Sequence, residues 1–170
     1  MSLTLAELNA MDTADFSSRL GSIYEHSPWV ARRAWAMRPF PSVDALHAAM
    51  EKAVAEASPA ERRALILAHP ELAGRLAVAG KLTAASRSEQ ASAGLDRCTP
   101  EEFARLQELN AAYRQKFGFP FIVAVRGLSR ADIIERMSAR LANTEPQELA
   151  ACLHEIGRIA RLRLQDMIAA

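Results

Sequence analysis

Apolar residues recur at intervals of three and four along almost the whole chain, and only one short run departs from that spacing. Such intervals place side chains on one face of a helix, so the pattern predicts helices nearly throughout. Thr4 or Ser2 caps a short first helix to Met11, and Asp12 caps a second in which Phe16, Leu20 and Ile23 form the buried stripe. Ser27 suits an N-cap and Pro28 a first helical residue, opening a helix that Arg38-Pro39-Phe40-Pro41 must end. Ser42 opens a fourth, with Val43, Leu46, Met50 and Val54 on one face. Ser58-Pro59-Ala60-Glu61 is a capping box, and its helix runs through Ala64-Leu65-Ile66-Leu67-Ala68 to His69.

Thr83 to Leu95 reads as the next helix, and Thr99-Pro100-Glu101-Glu102 starts a long one to about Lys116 with Phe103, Leu106, Leu109 and Tyr113 in register. Gly118-Phe119-Pro120 breaks it. Phe121-Ile122-Val123-Ala124-Val125 is the one strand-like run, and it has no second run to pair with. It is expected as buried extended chain or a helical turn lining a pocket. Ser129-Arg130-Ala131-Asp132 starts another helix, and Thr144 with Pro146 the last, where Leu149, Leu153, Ile156, Ala160, Leu164 and Met167 fall at helical spacing. The expected fold is all-α: a single-domain bundle of about eight or nine helices over 1–170, without repeats or linkers.

Composition narrows the function by exclusion. Half of the 170 residues are hydrophobic and 24% are charged, as in ordinary globular proteins. A net charge of +1 gives no field to gather nucleic acid or an anionic membrane. All but three of the 21 basic residues are arginine, and Arg158, Arg161 and Arg163, without an aromatic platform, read as a solvated or subunit-contacting face. No apolar run approaches the length needed to span a bilayer. There is no leader-like stretch at the N-terminus, and Met-Ile-Ala-Ala at the other end is no peroxisomal address, so cytoplasm is the expected location. Cys98 and Cys152 form neither a disulfide framework nor a metal motif, and no His-Glu-x-x-His, Glu-x-x-His or phosphate-binding glycine loop occurs. No metal is expected.

The candidate chemistry gathers between Ala68 and Gln90. His69 precedes Pro70 at the end of an apolar helical run, where a helix must stop and an imidazole can face a cleft. Ser86-Arg87-Ser88-Glu89-Gln90 follows as five consecutive polar residues in an Ala- and Leu-rich chain. If the two helices form a hairpin, imidazole and carboxylate face each other as an acid–base pair. The same residues also suit a capping histidine followed by a solvated helix face, and sequence alone leaves both open. Arg126 before Gly127 suits a guanidinium held over a pocket for a carboxylate or ureido group, although spacing alone favours a surface arginine. His26 is a further candidate at the pocket border or a packing residue; His47 and His154 have ordinary neighbours.

Taken together, His26-Ser27-Pro28-Trp29-Val30-Ala31, Arg38-Pro39-Phe40, Ala68-His69-Pro70-Glu71-Leu72-Ala73, Ser86-x-Ser88-Glu89-Gln90, Phe119 to Gly127 and Ile156-x-x-Ile159-Ala160-x-Leu162-Arg163-Leu164 resemble the 2-oxo-4-hydroxy-4-carboxy-5-ureidoimidazoline (OHCU) decarboxylases in order and spacing, over essentially the whole chain. The resemblance implies an all-helical, homodimeric enzyme of urate degradation that needs no cofactor and releases carbon dioxide from OHCU to give (S)-allantoin. It implies His69 as proton donor, with Pro70, Ser86, Arg87, Ser88, Glu89, Gln90, Phe121, Ile122, Val123, Ala124 and Val125 contacting substrate; Arg126 is added from the residue argument. Glu89 would fix the His69 tautomer or grip the substrate's hydroxyl or ureido groups. The rival classes are a helical lyase or hydrolase acting on another ureide, and a non-catalytic helical binding module.

Overall fold

Local capping chemistry accounts for most of the helix starts. The computed structural model describes residues 2–74, 77 and 79–169, and among them it holds nine α-helices, one 3₁₀ turn and no strand beyond a single bridge between Leu3 and Ile168. The helices are α1 (Leu5–Ala10), α2 (Thr13–Leu20), α3 (Trp29–Trp35), α4 (Val43–Ala55), α5 (Pro59–Leu67), α6 (Ala84–Ser92), α7 (Pro100–Phe117), α8 (Arg130–Arg140) and α9 (Glu145–Met167). Thr4, Ser58, Thr99 and Ser129 each accept from the backbone N–H three residues on, while the acid at that position accepts from the cap's own N–H. These reciprocal pairs satisfy donors that a helix start otherwise leaves open. Asp12, Ser42 and Thr83 cap with the side chain alone.

The chain divides into two compact units. One gathers the chain up to Ala68 with the stretch from Ile156 onward; the other is His69–Glu155. In the first, α3 packs on α2 and α4. Phe16 stacks on Phe40 with centroids 6.1 Å apart, amid buried Leu8, Val30, Leu46, Met50, Leu65 and Ile66. Burying each such side chain stabilises by roughly 1.5–3 kcal/mol. Arg38 donates to the carbonyls of Asn9 and Met11 at 2.8 and 2.7 Å and lies over the Trp35 ring. The chain's ends meet here, where Ala169 N–H donates to the Leu3 carbonyl at 2.9 Å.

In the second unit α7 is the central element. Its Tyr113 ring meets Phe117, Phe119 and Phe121 at 4.6, 5.9 and 5.5 Å, the last two edge-on. Gly118, at φ +75°, ends α7 in the left-handed conformation that favours glycine and returns its N–H to the Arg114 carbonyl. Phe121 to Val125 is buried chain without regular secondary structure and without a strand partner among the described residues, and it forms no helical turn.

Several expectations need correction. Ser27 does not cap α3, because its hydroxyl donates back to the Glu25 carbonyl at 2.9 Å and the helix begins at Trp29. The helix expected to Leu95 ends at Ser92, since Gly94 takes φ +77° and leads into the 3₁₀ turn Leu95–Arg97. Phe103 is 39% exposed, being in the first turn of α7 and short of the packed stretch that begins at Leu106. Arg163 does not share a solvated face with Arg158 and Arg161; it is buried and pairs with the buried Glu25 at 2.8 Å. On α9 the inward positions of the first half are Glu148, Cys152 and Glu155, one residue off the leucine stripe of Leu149 and Leu153. A fully buried Glu148 is tolerable because Arg140, Tyr113 and Asn143 all donate to it.

Candidate active site

Every residue singled out between His69 and Arg126 falls inside the second unit. The apolar run Ala64 to Ala68 sustains α5 up to Leu67, and Pro70 forbids its continuation. His69 emerges at this stop 8% exposed, the only histidine among the buried polar side chains of the described residues.

The loop after it is held by side chains. The carbonyls of Glu71, Leu72 and Ala73 accept from Gln90 Nε2 at 3.3 Å, Asn110 Nδ2 at 2.9 Å and Gln107 Nε2 at 2.7 Å. Ala73 N–H donates to Gln90 Oε1 at 3.0 Å, and Arg114 pairs with the Glu71 carboxylate at 2.7 Å. Ala73 itself sits at φ +50°, a conformation costing an alanine roughly 1–2 kcal/mol. Both polar groups of that residue are gripped, which sustains the strain. Gln107, Asn110 and Arg114 are three and four apart, so one face of α7 supplies three of the four clamps.

The polar run on α6 splits by helical phase. Ser86 and Gln90 are buried and Glu89 is half-buried, one turn from Ser86 on the same side. Arg87 and Ser88 are exposed, and Arg87 reaches the Gly80 carbonyl at 3.4 Å. The two hydrogen bonds of Gln90 bring this face of α6 against the loop that follows His69 and Pro70. Of that stretch, Arg75, Leu76 and Val78 lie outside the described residues.

Phe121, Ile122, Val123, Ala124 and Val125 are all buried, making an apolar wall of irregular backbone. Arg140 Nη1 donates to the Ile122 carbonyl at 2.6 Å, and Ala124 N–H points at Glu155 Oε2 at 3.4 Å. Arg126 is not part of this wall: it is exposed at the turn where Gly127 has φ +81°. His26, His47 and His154 lie outside the unit or on its surface, and His47 bonds the Gly157 carbonyl. α7 therefore carries both parts, holding the loop through Gln107, Asn110 and Arg114 and meeting Phe121 through Tyr113.

Behind the wall lies a buried polar cluster that composition and spacing did not single out. Glu148 accepts from Tyr113 Oη at 2.6 Å, Arg140 Nε at 2.8 Å and Asn143 Nδ2 at 3.0 Å. Burial pushes the Glu148 carboxyl up, but hydrogen bonds from Arg140, Asn143 and Tyr113 hold it below the usual carboxylate range. Burial, with Cys152 and Glu148 as neighbours, raises the Tyr113 hydroxyl far above its ordinary value, so it stays a donor. The only sequence signal for this cluster was a glutamate and a cysteine four apart beside the leucine stripe of α9.

The chain resembles known proteins over nearly all its length. The family model for OHCU decarboxylase matches residues 9–165, which takes in every site residue named above. A 2-oxo-4-hydroxy-4-carboxy-5-ureidoimidazoline decarboxylase of Halalkalicoccus jeotgali is 42% identical over 97% of this chain and 92% of that protein. The corresponding protein of Haloferax volcanii is 43% identical over 96% and 95%. A crystal structure of an (S)-allantoin synthase superposes with a TM-score of 0.77 at 30% identity, covering 98% of this chain and 54% of the other. The chain belongs to the OHCU decarboxylase family.

Proposed function

We propose that the chain, 1–170 acting as one OHCU decarboxylase-like domain, is a carboxy-lyase converting OHCU to (S)-allantoin in urate degradation. Family membership across 9–165 supplies the substrate class. The observation that carries the chemistry is a buried His69 at a helix stop, followed by a loop gripped at three successive carbonyls. A group that must deliver one proton to one face of a ring needs such fixed placement.

The substrate itself explains why no cofactor is required. Its carboxylate is borne by the hydroxyl-bearing ring carbon, next to a carbon–nitrogen double bond. As the bond to carbon dioxide breaks, its electron pair forms a double bond to the ureido-bearing carbon, and the former double-bond pair passes to nitrogen, which takes a proton. The resulting enol, with nitrogen on both alkene carbons, then accepts a proton from His69 at the ureido-bearing carbon, while its hydroxyl loses one and becomes the ring carbonyl. An imidazole titrates near neutrality, which suits this transfer. In this reading Glu89 accepts from the substrate's ureido N–H groups or orients His69. Pro70 and Ser86 contact the ring and its substituents, Arg87 and Ser88 border the site from the outward phase of α6, and Gln90 acts chiefly on the loop it holds. The Phe121–Val125 wall excludes water from the departing carboxylate. Arg126, exposed at its turn, meets anionic substrate on entry in this reading. We read the enzyme as a homodimer, as its family resemblance implies, working in the cytoplasm; no described helix is long and apolar enough to cross a membrane.

Among the described residues no three His, Cys, Asp or Glu side chains stand together as a metal-ligand group. The test follows OHCU, freshly made from urate by urate oxidase and hydroxyisourate hydrolase, after the enzyme has been dialysed against a chelator. Undiminished acceleration of its loss is the expected result. Loss of activity restored by one divalent cation would overturn the cofactor-independent reading.

A further inference from the structure

A buried run of irregular backbone poses a problem that a helix or sheet does not. Each of its backbone N–H and C=O groups must find a partner, and no neighbouring strand supplies one among the described residues of this chain. At Ile122 the partner is Arg140. One guanidinium nitrogen, Nη1, donates to the Ile122 carbonyl at 2.6 Å, while Nε and Nη2 both lie 2.8 Å from Glu148 Oε1. The plane of the same group covers the Phe121 ring, with Cζ 4.3 Å from the centroid. Glu148 is fixed in turn by Tyr113 from α7 and Asn143 from the turn before α9, so the guanidinium has little freedom.

We infer that Arg140 is a positioning residue for the Phe121–Val125 segment, its guanidinium standing where an adjacent strand would bond and Glu148 setting where that guanidinium lies. This rests on the reading of the segment as the substrate wall. A general feature of buried ion pairs favours the inference over a purely stabilising role. Replacing such a pair by apolar residues of similar volume is often neutral or stabilising, so stability alone gives little reason for the pair. What an apolar replacement cannot do is hold the Ile122 carbonyl. Lysine would not substitute either, because a single ammonium cannot reach Glu148 and Ile122 together with a fixed fork.

The experiment compares Arg140→Lys and the double variant Arg140→Met/Glu148→Leu with the unaltered enzyme. For each, KM and kcat on OHCU, (S)-allantoin affinity by calorimetry, thermal midpoint and amide hydrogen exchange over residues 121–125 are measured. A displaced wall predicts KM raised and product affinity weakened by at least about tenfold, with kcat lowered as well because water then reaches the departing carboxylate. Exchange at 121–125 should quicken in both variants, including the double variant when its thermal midpoint matches the parent. If Arg140→Lys fails to fold, the double variant carries the comparison. Parental KM and exchange in a stable double variant would overturn the inference. Faster exchange in an enzyme whose parent does not process OHCU would instead leave the positioning role standing and remove the assigned reaction.

Discussion

His69→Asn is expected to abolish nearly all turnover of OHCU while leaving the fold and the binding of (S)-allantoin in place. Asparagine keeps a polar side chain with a hydrogen-bond donor at a position that is 8% exposed, so packing changes little. What it lacks is a proton that can leave near neutral pH. Positioned general acids contribute about 10²–10⁴-fold, and kcat should fall by that order. Gln90, Gln107, Asn110 and Arg114, all unchanged in the variant, clamp the backbone and carboxylate of Glu71 through Ala73. The variant should therefore melt near the parent. A folded His69→Asn enzyme within a few-fold of parental kcat would remove His69 as donor. Its companion, Glu89→Gln, keeps volume but presents a donor where an acceptor is wanted. A hydrogen bond to a charged group is worth roughly 1.5–3 kcal/mol, so kcat/KM should fall at least about tenfold. An unchanged kcat/KM would assign Glu89 to a solvated helix face.

The second large effect concerns stability. Glu148→Ala should destabilise by roughly 3–5 kcal/mol, because it leaves a buried guanidinium without its counter-charge. It also removes the carboxylate acceptor of the Tyr113 hydroxyl and the Asn143 amide. Domains of this size are stable by only about 5–15 kcal/mol, so the loss should appear as a large drop in the urea midpoint. The pH dependence follows from the same cluster. The folded Glu148 carboxyl titrates below the usual range, so as pH falls the unfolded chain takes up its proton first. Its contribution is complete above the ordinary glutamate value of about 4.3 and is lost as pH falls through the folded value. Glu148→Gln should thus flatten the acid limb of the stability profile, which denaturant titration at a series of pH values would read. A Glu148→Ala protein with the parental midpoint would show that the cluster contributes nothing of this kind.

The helical plan was legible because its signals are local. Capping boxes at Ser58, Thr99 and Ser129 and the breaks at Pro70 and Gly118 each act within a few residues. Local pattern failed where a side chain's partner is distant in sequence. The α9 stripe was drawn through Leu149 and Leu153 since a glutamate reads as outward; Glu148 turns inward because Arg140, Asn143 and Tyr113 meet it there. Arg163 was drawn outward for the same reason, and its partner Glu25 lies on the far side of the sequence. At the candidate site, His69, Ser86, Glu89 and Gln90 were readable from the polar run and the proline stop. The outward turn of Arg87 and Ser88 follows from helical phase alone. The role of Gln90 in holding Glu71 and Ala73 depended on a tertiary approach that spacing does not reveal. Gln107 and Asn110 left one trace, as amides on the packed side of an otherwise apolar helix stripe.

The measurement that bears most directly on the central claim is the handedness of the product. OHCU generated in the cuvette from urate by urate oxidase and hydroxyisourate hydrolase is mixed with the enzyme, and circular dichroism is followed as allantoin forms. A proton delivered from one fixed imidazole to one face of the ring predicts rapid growth of the (S)-allantoin signal, absent with His69→Asn. Racemic allantoin formed at the uncatalysed rate, with or without the enzyme, would contradict the account.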